Sequence, residues 1–156
     1  ASPTTDSERA GDFASCARAG NCINNSEATV TTTGVNFTLI NTPDTCTINI
    51  IDNPKENLLQ YFDKAFNFIE MARQNQCNIL IHCKLGRSRS TSILIAYLIK
   101  YFGYNVNTAL EMIKSKRKQI NPNLGFIRQL YAFERYISKY KAIINNGNNY
   151  KNNYFN

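Results

Sequence analysis

The sequence predicts an α/β domain with a mostly parallel central sheet and helices on both faces, and three observations lead there. From residue 35 onward, extended β-branched segments alternate with segments of helical periodicity. One extended segment, Asn78–His82, is almost wholly apolar, as expected of a strand covered on both faces. That segment passes without spare residues into a short polar loop and then a helix-like pattern. In layered sheets of this kind ligands bind beyond the carboxyl ends of the strands.

The elements follow in order. Residues 1–10 read as a flexible arm ahead of a single domain over 11–141. Val35 to Ile40 and Thr45 to Ile51 are strand-like, and Asn41-Thr42-Pro43-Asp44 between them is a turn signal. Leu58, Phe62, Ala65, Phe66, Ile69 and Ala72 fall on one face of a helix, with Pro54 placed near its start. Ser90 to Phe102 is apolar all round, the mark of a buried helix, and Gly103 is its stop signal. Two more helices are expected over Val106 to Lys118 and Leu124 to Tyr140, separated at Asn121-Pro122, since the residue before a proline disfavours helix. The stretch 142–156 is rich in asparagine and reads as a disordered tail.

Composition sets the class. A chain of 156 residues, 43% hydrophobic and 12% aromatic, can bury one core and is unlike a disordered segment. The apolar run Ile93 to Ile99 is too short to span a bilayer, and residues 1–12 show no secretory signal pattern. Cys16, Cys22, Cys46, Cys77 and Cys83 are odd in number and irregularly spaced. With one histidine in the chain they suggest neither a disulfide framework nor a zinc site, so no metal or other cofactor is expected. A reducing compartment follows, the cytoplasm or the nucleus. The net charge of +7 suits an acidic or phosphorylated partner. Much of it lies in Lys114-Ser115-Lys116-Arg117-Lys118, which reads as a solvated helix end. This cluster lacks interleaved aromatics, so nucleic acid is not an expected partner. A monomer without stable membrane association is expected.

The chemistry is concentrated in His82-Cys83-Lys84-Leu85-Gly86-Arg87-Ser88-Arg89-Ser90. A tight loop between a strand and a helix turns successive N–H groups into one concavity, and the helix start adds a positive dipole end. Such a nest binds a phosphoryl group and also lowers the pKa of a cysteine at its lip, because a thiolate is itself an anion. Arg89, six positions after Cys83, carries a planar fork that matches two phosphate oxygens, a geometry lysine cannot reproduce. The N–H groups of Lys84, Leu85, Gly86, Arg87, Ser88 and Arg89 would complete the cradle, with Gly86 supplying a conformation or an approach closed to side chains. Departure of an alkoxide or phenoxide needs a proton, and one carboxyl group can supply it. Asp44, Asp52, Glu56 and Asp63 are the candidates, and Asp52 stands out because it ends an apolar run just before Asn53-Pro54.

The pattern His-Cys-x-x-Gly-x-x-Arg-Ser resembles the signature loop of cysteine-dependent protein phosphatases, and Gly-x-Ser-Arg-Ser resembles its dual-specificity branch. The likeness extends to Ile50-Ile51-Asp52-Asn53 with the helix behind it, and to Ile120-Asn121-Pro122-Asn123-Leu124-Gly125-Phe126. It covers residues 34–140 well and 11–33 thinly. The resemblance implies a compact phosphatase-like fold, Cys83 as nucleophile of a phosphocysteine intermediate and Asp52 as general acid, with Asp44 in reserve. It implies that Ser90 bonds the sulfur and helps it leave, although Ser90 also suits a helix N-cap. His82 would support the loop and Asn123 would brace the active-site loops. Cys77 suits a buried packing role first, with a resolving thiol under oxidation as the alternative.

The implied activity is hydrolysis of phosphotyrosine and phosphoserine or phosphothreonine on a protein substrate. Cations at both Lys84 and Arg87 keep phosphoinositides and other polyanions as an alternative. A phospho-binding module without turnover is a second, disfavoured because Cys83, Arg89 and Asp52 are all present. A sulfur-transfer domain is disfavoured because it has no use for Asp52 or Ser90.

Overall fold

The computed structural model describes residues 34–40 and 43–152, with side chains to residue 145. The expected arm at 1–10 lies outside the described residues, as do Cys16 and Cys22. Among the described residues there are three strands, β1 (Gly34–Leu39), β2 (Thr45–Asn49) and β3 (Ile79–Cys83). The helices are α1 (Phe62–Gln74, entered through a 3-10 turn at Leu59–Tyr61), α2 (Arg89–Phe102), α3 (Val106–Lys116) and α4 (Leu124–Asn152).

Among the described residues the strands are not the mostly parallel set expected. The sheet order is β2-β1-β3, and both pairings are antiparallel. The connection at residues 40–44 is short enough only for a hairpin, whereas a parallel pair needs a crossover of a dozen or more residues. The β2–α1–β3 passage is such a crossover, and β2 and β3 do run the same way. β1 lies between them, so among the described residues no two parallel strands are neighbours.

Alternation sets which face is buried. Val35, Phe37 and Leu39 are at most 4% exposed, and β3 sets Cys83, Ile81 and Ile79 opposite them. Asn36, Thr38, Leu80 and His82 carry the other face and are half-buried. α2 packs on β1 and β3, with α1, α3 and α4 around it. This position explains its apolar circumference, since Ile93 through Ile99 are all buried. Phe62, Phe66, Phe133 and Tyr97 interlock α1, α4 and α2 through ring contacts of 4.8–6.1 Å. Each such ring contributes about 1.5–3 kcal/mol of burial.

Helix boundaries hold small surprises. α2 ends where expected, with Gly103 in the left-handed region at φ 72° and its N–H on the Leu98 carbonyl. α3 stops at Lys116, two residues short of the expected end. α4 continues past Tyr140 into the asparagine-rich stretch as far as Asn152. Asn123 caps α4, its Oδ1 accepting the Phe126 N–H at 2.9 Å.

Candidate active site

β3 delivers Cys83 to the carboxyl end of the sheet, and α2 begins six residues later at Arg89. Gly86 adopts φ 60°, a conformation side chains resist, and an added Cβ would sit 3.0 Å from the Arg117 guanidinium. The Arg117 guanidinium thus packs directly against the loop at Gly86. Cys83 is 7% exposed, and its Sγ lies 3.2 Å from Ser90 Oγ. Burial pushes the thiol pKa up. Hydrogen bonds from the Ser90 hydroxyl and the Ser90 and Gly86 N–H groups, with the Arg89 charge, outweigh burial and hold it below the ordinary thiol value. His82 faces the other way, opposite Asn36, and burial lowers its pKa, so the imidazole is neutral at pH 7.

Arg89 is 6% exposed, and its Nη1 lies 3.4 Å from the carbonyls of Gly34 and Ile50. The guanidinium is therefore moored beneath the ends of β1 and β2. A pocket of about 440 Å³ is lined by Asp52, Cys83, Lys84, Leu85, Arg87, Ser88, Arg89 and Asn121.

Asp52 reaches this pocket from the loop after β2. That loop turns at Asn53, whose side chain accepts the Lys55 N–H at 2.9 Å and whose carbonyl accepts the Glu56 N–H at 3.0 Å. Asp52 Oδ1 accepts two hydrogen bonds, from Ser88 Oγ at 2.7 Å and from Asn123 Nδ2 at 2.8 Å. The orientation of both donors is set. Ser88 Oγ already accepts the Asn123 N–H at 3.1 Å, and capping α4 occupies Asn123 Oδ1. Two donors on Oδ1 leave Oδ2 as the oxygen to carry a proton when the carboxyl is neutral.

Two further segments buttress the site. Residues 117–121 support the cysteine loop, with Arg117 Nη2 donating to Leu85 O at 3.1 Å, Arg87 Nε to Gln119 O at 3.0 Å and Asn121 N to Arg87 O at 2.8 Å. The start of α4 supports the Asp52 loop. Gly125 packs so closely that an added Cβ would lie 2.0 Å from the Pro54 carbonyl oxygen. Gln129 bonds the backbone at Glu56 and Leu58.

The structure brings Cys83, Arg89, Ser90, Ser88, Asp52 and Asn123 together. Of the other acid candidates, Glu56 shares the Asp52 loop but does not line the pocket, and two fall elsewhere. Asp44 lies in the β1–β2 turn, where its carbonyl accepts the Leu39 N–H, at the end of the sheet opposite Cys83. Asp63 is an exposed side chain on α1, 3.9 Å from Lys100. Ser90 is inside the first turn of α2, one residue beyond its first position, so the N-cap alternative is corrected. Cys77 is corrected as a resolving thiol. Cys77 lies two residues before β3, and the four steps from Ile79 to Cys83 alone, at about 3.3 Å per residue, span roughly 13 Å, against about 5.5–6 Å between the Cα atoms of a disulfide. Arg117, read as part of a solvated helix end, instead turns onto the cysteine loop. The Ser88 hydroxyl, Gly125 and Gln129 were also missed, because their roles rest on contacts 35 to 73 residues apart.

The family described as "Dual specificity phosphatase, catalytic domain" matches residues 19–136. Dual specificity protein phosphatase 1B of Arabidopsis thaliana is 42% identical over 90 residues, 58% of this chain and 54% of that protein. Dual specificity protein phosphatase 7 of Homo sapiens is 41% identical over 88 residues, 56% of this chain and 21% of that one. The matched region thus spans about half of the plant relative and a fifth of the human one. Among solved structures, human DUSP28 aligns at TM-score 0.55 and 33% identity over 58% of this chain and 61% of that chain. A mouse putative dual specificity phosphatase complexed with zinc tungstate aligns at TM-score 0.56 and 35% identity, over 58% and 57%. The chain belongs to the dual specificity phosphatase catalytic-domain family.

Proposed function

We propose that this domain hydrolyses phosphotyrosine and phosphoserine or phosphothreonine on proteins through a phosphocysteine at Cys83. The observation that carries the reading is a cysteine sulfur ringed by Ser90 and Gly86 donors in one pocket with Arg89 and Asp52. The Cys83 thiolate attacks phosphorus, forming S–P as the P–O bond to the substrate breaks. Arg89 and the loop N–H groups stabilise the equatorial oxygens, and Asp52 Oδ2 donates its proton to the departing oxygen. A water then attacks phosphorus, giving a proton to the Asp52 carboxylate, while the S–P bond breaks and Ser90 Oγ donates a hydrogen bond to the leaving thiolate. Phosphate departs and Asp52 is again protonated. Lys84 and Arg87 at the pocket support a second reading, a phosphoinositide or other polyanionic substrate. A solved structure of PTPMT1 in complex with PI(5)P aligns at TM-score 0.54 and 25% identity over 58% of each chain.

The test runs the parent and Cys83→Ser against phosphotyrosine peptide, phosphothreonine peptide and phosphoinositide. The parent should turn over both peptides and form an acid-stable phosphoenzyme. Cys83→Ser should still bind phosphate and lose turnover, because a neutral hydroxyl is a poor nucleophile. Residual activity within about tenfold of the parent would remove the covalent mechanism. Binding without turnover by the parent would leave a capture module, and turnover of lipid alone would favour the second reading.

A further inference from the structure

The loop that carries Asp52 is held from one side by a single face of α4. Asn123 at the cap, Gly125 in the first turn and Gln129 one turn further on all meet residues 52–58. Gln129 makes the most extensive of these contacts. Its Oε1 accepts the Leu58 N–H and its Nε2 donates to the Glu56 carbonyl, both at 2.7 Å. The amide thus pairs with two backbone groups of the loop as a neighbouring strand would. Its orientation is unambiguous, since exchanging oxygen and nitrogen would break both bonds. Leu58 is 0% exposed, so the loop is gripped next to a point already seated in the core. Glu56 in turn bonds back to Asn53, the residue after Asp52.

We infer that Gln129 is a positioning residue for proton transfer, fixing the Asp52 loop so that the carboxyl stands in reach of the leaving oxygen. This rests on the reading of Asp52 as the general acid. Gln129 does not line the pocket, so its influence would pass through the loop backbone. A misplacement of about 1 Å can cost on the order of 10²-fold in rate. An acid is worth roughly 10²–10⁴-fold, and that worth grows with the basicity of the leaving group. Loosening the loop should therefore penalise basic leaving groups and spare acidic ones.

The experiment is a double-mutant cycle with Gln129→Met, Asp52→Asn and their combination. kcat/KM is measured for aryl and alkyl phosphates of graded leaving-group pKa, together with inhibition by inorganic phosphate. Gln129→Met should lose about tenfold or more on alkyl phosphates and less than about twofold on activated aryl phosphates. Phosphate inhibition should stay at the parent value, because the Cys83–Arg89 loop is untouched. In the Asp52→Asn background, Gln129→Met should add nothing. Gln129→Glu keeps the acceptor for Leu58 but sets a carboxylate oxygen against the Glu56 carbonyl, so it should show a loss of the same graded form; it serves alone if Gln129→Met does not fold. A loss equal across leaving groups, or one that persists in the Asp52→Asn background, would overturn the assignment. A flat series for Asp52→Asn itself would instead remove Asp52 from the acid role.

Discussion

Replacing Ser90 by alanine removes one donor from the Cys83 sulfur and leaves the rest of the nest in place. Ser90 Oγ is 3.2 Å from Sγ, and a thiolate can only accept, so the hydroxyl is the donor in the ionised state. Its hydrogen bond is the foremost of the effects that lower the thiol pKa against the opposing effect of burial. A hydrogen bond to a charged group contributes about 1.5–3 kcal/mol, and one pKa unit corresponds to about 1.4 kcal/mol. Ser90→Ala should thus raise the Cys83 pKa toward the ordinary thiol value. The Ser90 and Gly86 N–H groups and Arg89 persist in the variant and limit the shift. The thiol pKa is read from the pH dependence of alkylation by iodoacetamide, and the acidic limb of kcat/KM should move up in parallel. Stability carries the same sign. The folded thiol ionises more readily than the unfolded one, so its contribution is fully present above the unfolded pKa and fades as pH falls through the folded value. Ser90→Ala should shrink this contribution, most of all above the unfolded pKa and progressively less as pH falls through the folded value. Rapid-mixing kinetics should show phosphoenzyme accumulating, because the departing sulfur has lost a donor. An alkylation pKa within about 0.3 units of the parent would refute the reasoning and leave the Ser90–Cys83 contact as packing.

Two other substitutions probe the remaining supports. Arg89→Lys should lower kcat/KM by about 10²-fold or more, because a point charge cannot bridge two phosphoryl oxygens in the transition state; an unchanged value would reduce Arg89 to a structural cation. Gly125→Ala forces a methyl group against the Pro54 carbonyl, 2.0 Å away before adjustment. It should cost about 1–3 kcal/mol in denaturant unfolding, with activity falling most for basic leaving groups; parent-like stability and rates would show that the Pro54 turn yields freely.

Adjacent residues made the reacting centre readable from the sequence. Cys83, Gly86, Arg89 and Ser90 lie within eight consecutive positions between a strand and a helix, and this local order brings the sulfur, the N–H groups and the guanidinium together. Periodicity likewise marked the buried faces of α1 and α2, because side-chain spacing on a helix repeats whatever lies opposite. Glycine after an apolar run marked the end of α2 for an equally local reason. The direction of strand pairing was not readable, because alternation of strands and helices says nothing about which strand slots between two others. β1 between β2 and β3 made the described sheet antiparallel.

By itself, then, the sequence determined the Cys83 loop, the choice of Asp52 as the foremost carboxyl and the helical faces that build the core. Each depends on residues close along the chain. Only the tertiary structure decided how Asp52 is held. Ser88 is 36 residues from it and Asn123 71, and Gln129 reaches the same loop across 71 and 73. No periodicity connects such positions, and the entropy of closing so long a loop is met only when the whole core condenses. The same condensation sets Asp44 at the far end of the sheet, leaves Cys77 before the start of β3 with Cys83 at its end, and folds Arg117 back from a helix end onto the loop that holds the sulfur.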